Sequence, residues 1–301
     1  MNRVIITGGS GFLAPYVAHS LRARGFDVVL VSRAAQFSNE MAEIHRESCD
    51  SNDFAQATIL MKRYEPTHLL NLGWYTAPGK FWSSGENLRS LASNLVMTQA
   101  FVESGGSNVV SAGSCAEYLL DGSLLHEGSV TEERSLYATS KAALRRVVNR
   151  YLDDFGVRCA WGRLFYVYGP GEPPDKFVSW AGRSLLNSTT VELSQPDRRL
   201  DYIHVKDAAA AYATLVDSVL SGDYNVCSAS PITPRIIVET MARNIGFCHP
   251  IREKPNLAPS PQPDVVAAPS RLLAKSDWNV NVTEEDGLKE SIDRLKGLPC
   301  A

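Results

Sequence analysis

Apolar positions along the chain follow two alternating rhythms. Continuous short runs rich in Val, Ile and Leu occur at residues 3–7, 27–31, 67–72 and 108–112; the more polar segments 158–164 and near 44–49 also read as strands. Between them lie longer stretches with apolar residues three and four apart, at 12–24, 50–63, 86–103, 136–155 and 207–220. Continuous runs read as strands buried on both faces, and the spaced pattern reads as amphipathic helices. Strand alternating with helix predicts an α/β fold built on a doubly wound parallel sheet. The rhythm breaks at Tyr168-Gly169-Pro170-Gly171-Glu172-Pro173-Pro174, a proline and glycine cluster. Beyond it the pattern reads as a smaller lobe. Residues 201–205 are expected to return as a strand to the sheet. A last helix opens at Thr283-Glu284-Glu285-Asp286, a capping-box pattern, and runs to about Lys296. The expected division is a first domain of residues 1–165, joined by 200–222, and a second lobe of 166–199 and 223–301.

Bulk properties narrow the function classes. The 301 residues are 44% hydrophobic, enough for a large core. The net charge is -3, without a long run of one sign, so nothing favours nucleic acid or an anionic membrane. The longest apolar helical block, 208–216, is far short of a membrane span. The chain enters its first strand directly after Met1-Asn2-Arg3, and no secretory leader is expected. Six cysteines without a C-x-x-C pair point to reduced thiols in a cytoplasmic enzyme and to no metal site.

Candidate chemistry begins at Val4-Ile5-Ile6-Thr7-Gly8-Gly9-Ser10-Gly11-Phe12-Leu13-Ala14, which reads as strand, tight turn and helix. Gly9-x-Gly11-x-x-Ala14 fits the dinucleotide fingerprint of Rossmann-type sheets. Glycines let backbone N–H groups approach a pyrophosphate, which then sits at the positive end of the following helix. The second strand ends at Ser32-Arg33, without the acid that would hold the ribose hydroxyl of NAD. A hydroxyl and a guanidinium suit a 2′-phosphate. The reading is NADP(H) preferred with NAD(H) possible; the alternative for Arg33 is an ordinary surface cation. In a parallel sheet, ligands bind beyond the carboxyl ends of strands. The aromatic, glycine-rich segment after residue 72, with Trp74, Tyr75 and Trp82, is either a wall of such a site or a loop packed on its own domain.

Tyr137-Ala138-Thr139-Ser140-Lys141 places a phenol and an ammonium one helical turn apart on a shared face. The ammonium stabilises a phenolate, so such a tyrosine exchanges a proton with a carbonyl or an alcohol near neutral pH. Ser114 stands at the end of a strand just upstream.

Together these motifs resemble the extended short-chain dehydrogenase/reductase superfamily, in its NAD(P)-dependent nucleotide-sugar epimerase/dehydratase/reductase branch, over nearly the whole chain. Residues Thr7 to Ala14 resemble its T-G-x-x-G-F-x-G turn, and Cys49-Asp50-Ser51-Asn52-Asp53 is similar to G-D-x-x-D. Asn71-Leu72-Gly73-Trp74 is similar to the N/H-L-A-A strand end, and Asn94 sits where the family has a structural asparagine. Arg163 to Gly171 resembles R-x-x-N-V-Y-G-P-G, and Asp201 to Asp207 resembles R-D-F-I-H-V-D-D.

The resemblance implies Tyr137 as acid/base, Lys141 as its partner on the nicotinamide ribose, and Ser114 as a hydrogen bond to the substrate oxygen. It implies a cofactor held by Thr7, Gly8, Gly11, Phe12, Leu13, Ser32, Arg33, Asp50, Ser51, Leu72, Gly73, Tyr137 and Lys141. It implies a nucleotide-sugar substrate met by Trp74, Tyr75, Ser114, Phe165 and Arg199, and a homodimer formed through helices 86–103 and 136–155. Departures narrow the choice. The dehydratase acid pair after the catalytic hydroxyl is replaced by Cys115 and Ala116, and Glu117 is out of register and reads as structural. Phe165 replaces an asparagine that contacts sugar nucleotides. Leu200 stands at a position where the family has a phosphate-touching arginine, so Arg198, Arg199, Arg235 and Arg271 are its possible substitutes. His204 reads as a satisfied structural histidine. The expected activity is NADPH-dependent reduction of a keto group on a nucleotide-activated deoxysugar. A NAD-dependent 4-epimerase and a non-catalytic NADP-binding sensor are the alternatives.

Overall fold

The computed structural model describes residues 2–33, 44–255 and 262–297. In chain order the elements are β1 (Arg3–Thr7), α1 (Ala14–Ala23), β2 (Asp27–Ser32), β3 (His45–Ser48), α2 (Phe54–Tyr64), β4 (His68–Asn71), α3 (Glu86–Glu103) and β5 (Asn108–Ser114). There follow β6 (Leu124–Leu125), α4 (Leu136–Asp154), β7 (Arg158–Leu164), β8 (Tyr166–Tyr168), α5 (Phe177–Leu186), β9 (Val191–Leu193) and β10 (Tyr202–His204). The remainder are α6 (Val205–Asp217), β11 (Gly222–Val226), α7 (Pro234–Ile245), β12 (Ile251–Glu253), β13 (Val266–Ala267), α8 (Arg271–Lys275) and α9 (Glu284–Leu295).

Two compact units result. The first comprises Met1–Leu119, Val130–Leu164 and Ala209–Val226; the second comprises Leu120–Ser129, Phe165–Ala208 and Cys227–Ala301. The first unit is built on a seven-stranded, wholly parallel sheet in the order β11-β7-β5-β4-β1-β2-β3. Its central strands are apolar on both faces because helices cover both. Ile5, Val29, Leu69, Val109 and Trp161 point to one face and bury against α2, α3 and α4 through Leu60, Met61, Met97, Phe101, Leu144 and Val148. On the opposite face, Tyr212 of α6 lays its ring on Gly162 and donates its hydroxyl to the Gly162 carbonyl at 2.8 Å. Pro15 is seated in the first turn of α1, where its missing N–H costs nothing.

In the second unit, α5, α7 and α9 enclose a core of Val178, Ala181, Leu185, Ile237, Val238, Met241, Leu288 and Ile292. Thr233 and Thr283 cap α7 and α9, accepting from Ile236 N and Asp286 N. Three two-stranded parallel pairs complete it: β10 with β8, β12 with β9 and β13 with β6.

Two features of the strand reading are corrected. Residues 201–205 do not return to the main sheet; β10 pairs with β8 apart from it. The seventh strand is β11 instead, in a stretch that reads as irregular. Its pattern is masked because Asp223 and Asn225 are polar yet face charged and hydroxyl partners inside the protein.

Gly113, in β5, has no room for a side chain. A Cβ there would lie 2.1 Å from Trp161 Nε1 and 2.6 Å from Glu117 Oε1, both fully buried. Gly113→Ala is expected to destabilise the fold by about 3 kcal/mol through overpacking. Urea denaturation measures this; an unchanged midpoint would contradict the packing described.

Candidate active site

The carboxyl ends of β1, β4 and β5 converge on one edge of the parallel sheet. Thr7, at the end of β1, is buried; its hydroxyl donates to Asn71 Oδ1 at 3.4 Å and accepts from Gly73 N at 3.2 Å. Gly8 follows at φ +70°, and a Cβ on it would stand 2.7 Å from Gly73 Cα, so the turns after β1 and β4 touch backbone to backbone. The turn is closed by Gly11 N to Gly8 O and Gly9 N to Val31 O, both 2.8 Å. The start of α1 behind it has no side-chain cap and no acid in its first turn. Ser10 and Gly11 are exposed, and Phe12 and Leu13 half-buried.

The ends of β2 and β3 lie alongside. Ser32 Oγ is 2.8 Å from Ser10 Oγ, and Arg33 is exposed, its carbonyl accepting from Ser48 Oγ at 3.3 Å. Asp50 folds over Asn52 N at 3.1 Å, Ser51 is buried, and Asp53 caps α2. Leu72 and Gly73 are half-buried, and Asn94 of α3 donates to Gly73 O at 3.0 Å.

Ser114 ends β5 and begins a short turn of 3₁₀ helix, Cys115–Glu117. It forms a capping box: Ser114 Oγ accepts from Ala116 N at 3.2 Å, and Glu117 Oε1 accepts from Ser114 N at 2.7 Å. α4 is capped by Ser135, which accepts from Ala138 N, and so brings Tyr137 in within its first turn. Tyr137 and Lys141, one helical turn apart on a shared face, are both buried. Lys141 Nζ donates to Ala112 O at 2.6 Å and lies 3.9 Å above the centroid of the Trp74 ring. Burial pushes the Tyr137 phenol well above its ordinary range, against a hydrogen bond from Ser114 that pulls it down. Burial lowers Lys141, and the charge of Glu117 opposes this.

Three rings stand edge-on around Tyr137: Phe81 at 4.9 Å, Trp82 at 5.8 Å and Trp74 at 6.2 Å between centroids. Tyr137 N also donates to Trp82 O at 3.1 Å. Tyr75 is half-buried, its N–H held by Ser90 Oγ at 3.1 Å. The structure thus brings Ser114, Tyr137, Lys141 and Trp74 together beside the glycine turn.

Phe165 and Arg199 belong to the second unit. Phe165 is buried, and Arg199 is tied to Asp264 by Nε to Oδ2 at 2.8 Å. There too, Arg235 is held by Asp197 and Glu253, and Arg198 by Pro263 O and Gln262. His204 is buried, with Nε2 3.7 Å from Glu290 Oε2. Among the described residues no group of three or more His, Cys, Asp or Glu gathers as metal ligands, and no helix is long and apolar enough to cross a membrane.

The profile of the NAD dependent epimerase/dehydratase family matches residues 4–227. The chain belongs to this family. It is accordingly an NAD(P)-dependent enzyme of the short-chain dehydrogenase/reductase type. Among similar family members, Protein CapI of Staphylococcus aureus is 22% identical over 329 residues, covering 97% of each chain. GDP-6-deoxy-D-mannose reductase of Pseudomonas aeruginosa is 25% identical, covering 74% of this chain and 78% of its own. The crystal structure of UDP-glucose 4-epimerase from Thermus thermophilus, in complex with NAD, superposes with a TM-score of 0.85 at 24% identity, covering 98% of this chain and 99% of that one.

What motif reading missed in this family member is the charge system beneath Ser114. Glu117, fully buried, accepts from Ser114 N, from Trp161 Nε1 at 3.2 Å and from Arg163 Nε at 3.0 Å. Arg163 in turn donates to Tyr118 Oη and Asp223 Oδ2, both at 3.1 Å, and Asp223 takes a two-pronged bond from Arg145 at 2.9 and 2.6 Å. A glutamate three residues after the serine and an arginine inside an apolar strand were the available signals. Breaking a buried pair from one side strands a charge. Arg163→Met is expected to cost about 3–5 kcal/mol. Adding Glu117→Gln is expected to cost less than the sum, by about 1–3 kcal/mol of coupling. A double-mutant cycle in urea reads this; strict additivity would contradict the pair.

Proposed function

We propose that this enzyme reduces a keto group on a nucleotide-activated deoxysugar, with NADPH as reductant. The observation that carries the proposal is the buried Ser114, Tyr137 and Lys141 group with no carboxylic acid at positions 115 and 116. Cys115 and Ala116 supply no acid for eliminating water, so the group serves redox at a carbonyl.

The dinucleotide fits the residues present. The uncapped and acid-free start of α1 offers backbone N–H groups to a pyrophosphate. Thr7, Gly8, Gly11, Phe12 and Leu13 would hold that end, Ser32 and Arg33 the ribose phosphate, Asp50 and Ser51 the adenine side, and Leu72 and Gly73 the strand end. When bound, the reduced nicotinamide supplies the hydride. The Ser114 hydroxyl and the Tyr137 phenol bind the substrate oxygen, and Tyr137 donates its proton to it as charge develops. Burial keeps that phenol protonated, which suits the reducing direction. Lys141 would hold the nicotinamide ribose and stabilise the phenolate that Tyr137 leaves behind. Phe81 and Trp82 pack their rings edge-on against the Tyr137 ring.

Tyr75 is the proposed sugar contact of the first unit. For the second unit, Phe165 and Arg199 are proposed from the resemblance, and a phosphate at Arg199 would share it with Asp264. Exposed Leu88, Val147 and Phe155, at 56%, 50% and 59% on α3, α4 and the α4 cap, support a homodimer through these helices. The GDP-6-deoxy-D-mannose reductase relative supports the reductase reading; the structural likeness to a UDP-glucose 4-epimerase holding NAD favours the second reading, a 4-epimerase.

Fluorescence titration with NADPH and NADH, with and without a 4-keto-6-deoxy nucleotide sugar, separates these readings. NADPH is expected to bind more tightly than NADH and to be oxidised only when sugar is present. Tyr137→Phe is expected to lose roughly a thousandfold in turnover while its NADPH affinity changes little. NAD retained through purification without exchange would favour the epimerase. NADPH binding without turnover on keto-sugars would favour the sensor or another carbonyl substrate. Full activity of Tyr137→Phe would overturn the mechanism.

A further inference from the structure

Lys141 is a buried lysine with few polar partners. Among the described residues it makes no salt bridge, and its hydrogen bond goes to a neutral carbonyl, Ala112 O. Its Nζ also lies over the face of Trp74, 3.9 Å from the ring centroid. Where the family strand end has a small alanine, this chain has an indole.

That indole is fixed from behind. Trp74 Nε1 donates to Asn87 Oδ1 at 2.9 Å. Asn87 is fully buried near the start of α3, and its Nδ2 donates to Phe81 O and Ser84 O at 2.6 and 2.9 Å. Two carbonyls on the nitrogen side leave only Oδ1 for the indole, so the amide has one workable orientation. The ring cannot turn without losing its one donor bond inside the protein. A desolvated ammonium over an indole face is among the strongest cation–π arrangements.

We propose that Trp74 is a positioning residue: its face, locked by Asn87, holds Lys141 protonated and in place one helical turn from Tyr137. The proposal rests on the reading of Tyr137 and Lys141 as the proton-donating pair. It commits the Trp74 ring to the enzyme's own lysine and leaves contact with the sugar to others. The titratable and charged groups bearing on the pair are Tyr137 itself, Cys115 and Glu117 from the turn after β5, Arg163 of β7 through Glu117, and Tyr212 of α6.

The first test uses the free protein. In a ¹H–¹⁵N spectrum the five tryptophans give indole N–H resonances, and Trp74→Phe assigns the one that matters. That resonance is expected to move with pH as Lys141 loses its proton, with a midpoint below that of free lysine, and to stop moving in Lys141→Met. A resonance that does not titrate, or that titrates equally in Lys141→Met, overturns the proposal.

The second test uses turnover. Trp74 favours the ammonium, so removing its face lowers the pH at which Lys141 is deprotonated. Trp74→Leu is expected to lose about tenfold in kcat and to move the descending limb of the pH profile to lower pH by about one unit. Trp74→Phe, which keeps an aromatic face, is expected to recover most of the loss, and NADPH affinity is expected to change less than about threefold in both. A Trp74→Leu enzyme with an unmoved pH profile and a raised KM for the sugar alone would overturn the proposal and make the indole a substrate contact. Full turnover in Tyr137→Phe would instead overturn the underlying reading, and the indole titration would still report whether the clamp exists.

Discussion

A buried carboxylate facing a buried guanidinium governs the first unit of this protein. Glu117 and Arg163 are each about 1% exposed, and their contact is 3.0 Å. Such a pair is tolerated only when its remaining lone pairs and protons are used. Here they are: Glu117 takes Ser114 N and the Trp161 indole, and Arg163 takes Tyr118 and Asp223. Satisfying these bonds draws β5, β7, β11 and α4 onto one point. That point is the turn that carries Ser114, with Tyr137 and Lys141 arriving on α4. Gly113 is bare because the Trp161 indole and the Glu117 carboxylate occupy the space of its side chain.

Aromatic rings crowd one side of the site above this pair. Phe81, Trp82 and Trp74 surround the Tyr137 phenol edge-on, and burial raises it and lowers Lys141. Glu117 reaches Lys141 through space, and Trp74 reaches it by contact. The start of α1, by contrast, is uncapped and carries no acid.

Much of this was legible in the sequence, for identifiable reasons. The glycine turn, the apolar strands and the spacing of Tyr137 and Lys141 obey local rules, and the structure keeps each. Ser114 was legible because it ends a continuous apolar run. Less legible were contacts set by tertiary packing. β11 hid because Asp223 and Asn225 place polar atoms inside, against Arg163 and Tyr118. β10 reads as a sheet strand by composition, yet pairs with β8, since pattern states that a strand is buried and not which neighbour it has. Trp74 was visible as an aromatic beside the site. That its face meets Lys141 and its edge meets Asn87 depends on a loop that brings in a partner 13 residues along the chain.

The central claim is that hydride passes from an exchangeable reduced nicotinamide to the sugar carbon, with Tyr137 supplying the proton. The most direct measurement supplies NADPH deuterated at the reactive nicotinamide carbon to the enzyme with a 4-keto-6-deoxy nucleotide sugar, and weighs the product by mass spectrometry. The account predicts one deuterium per product molecule and an equal amount of NADP released. An unlabelled product, or label retained on a cofactor that never leaves the protein, would contradict it.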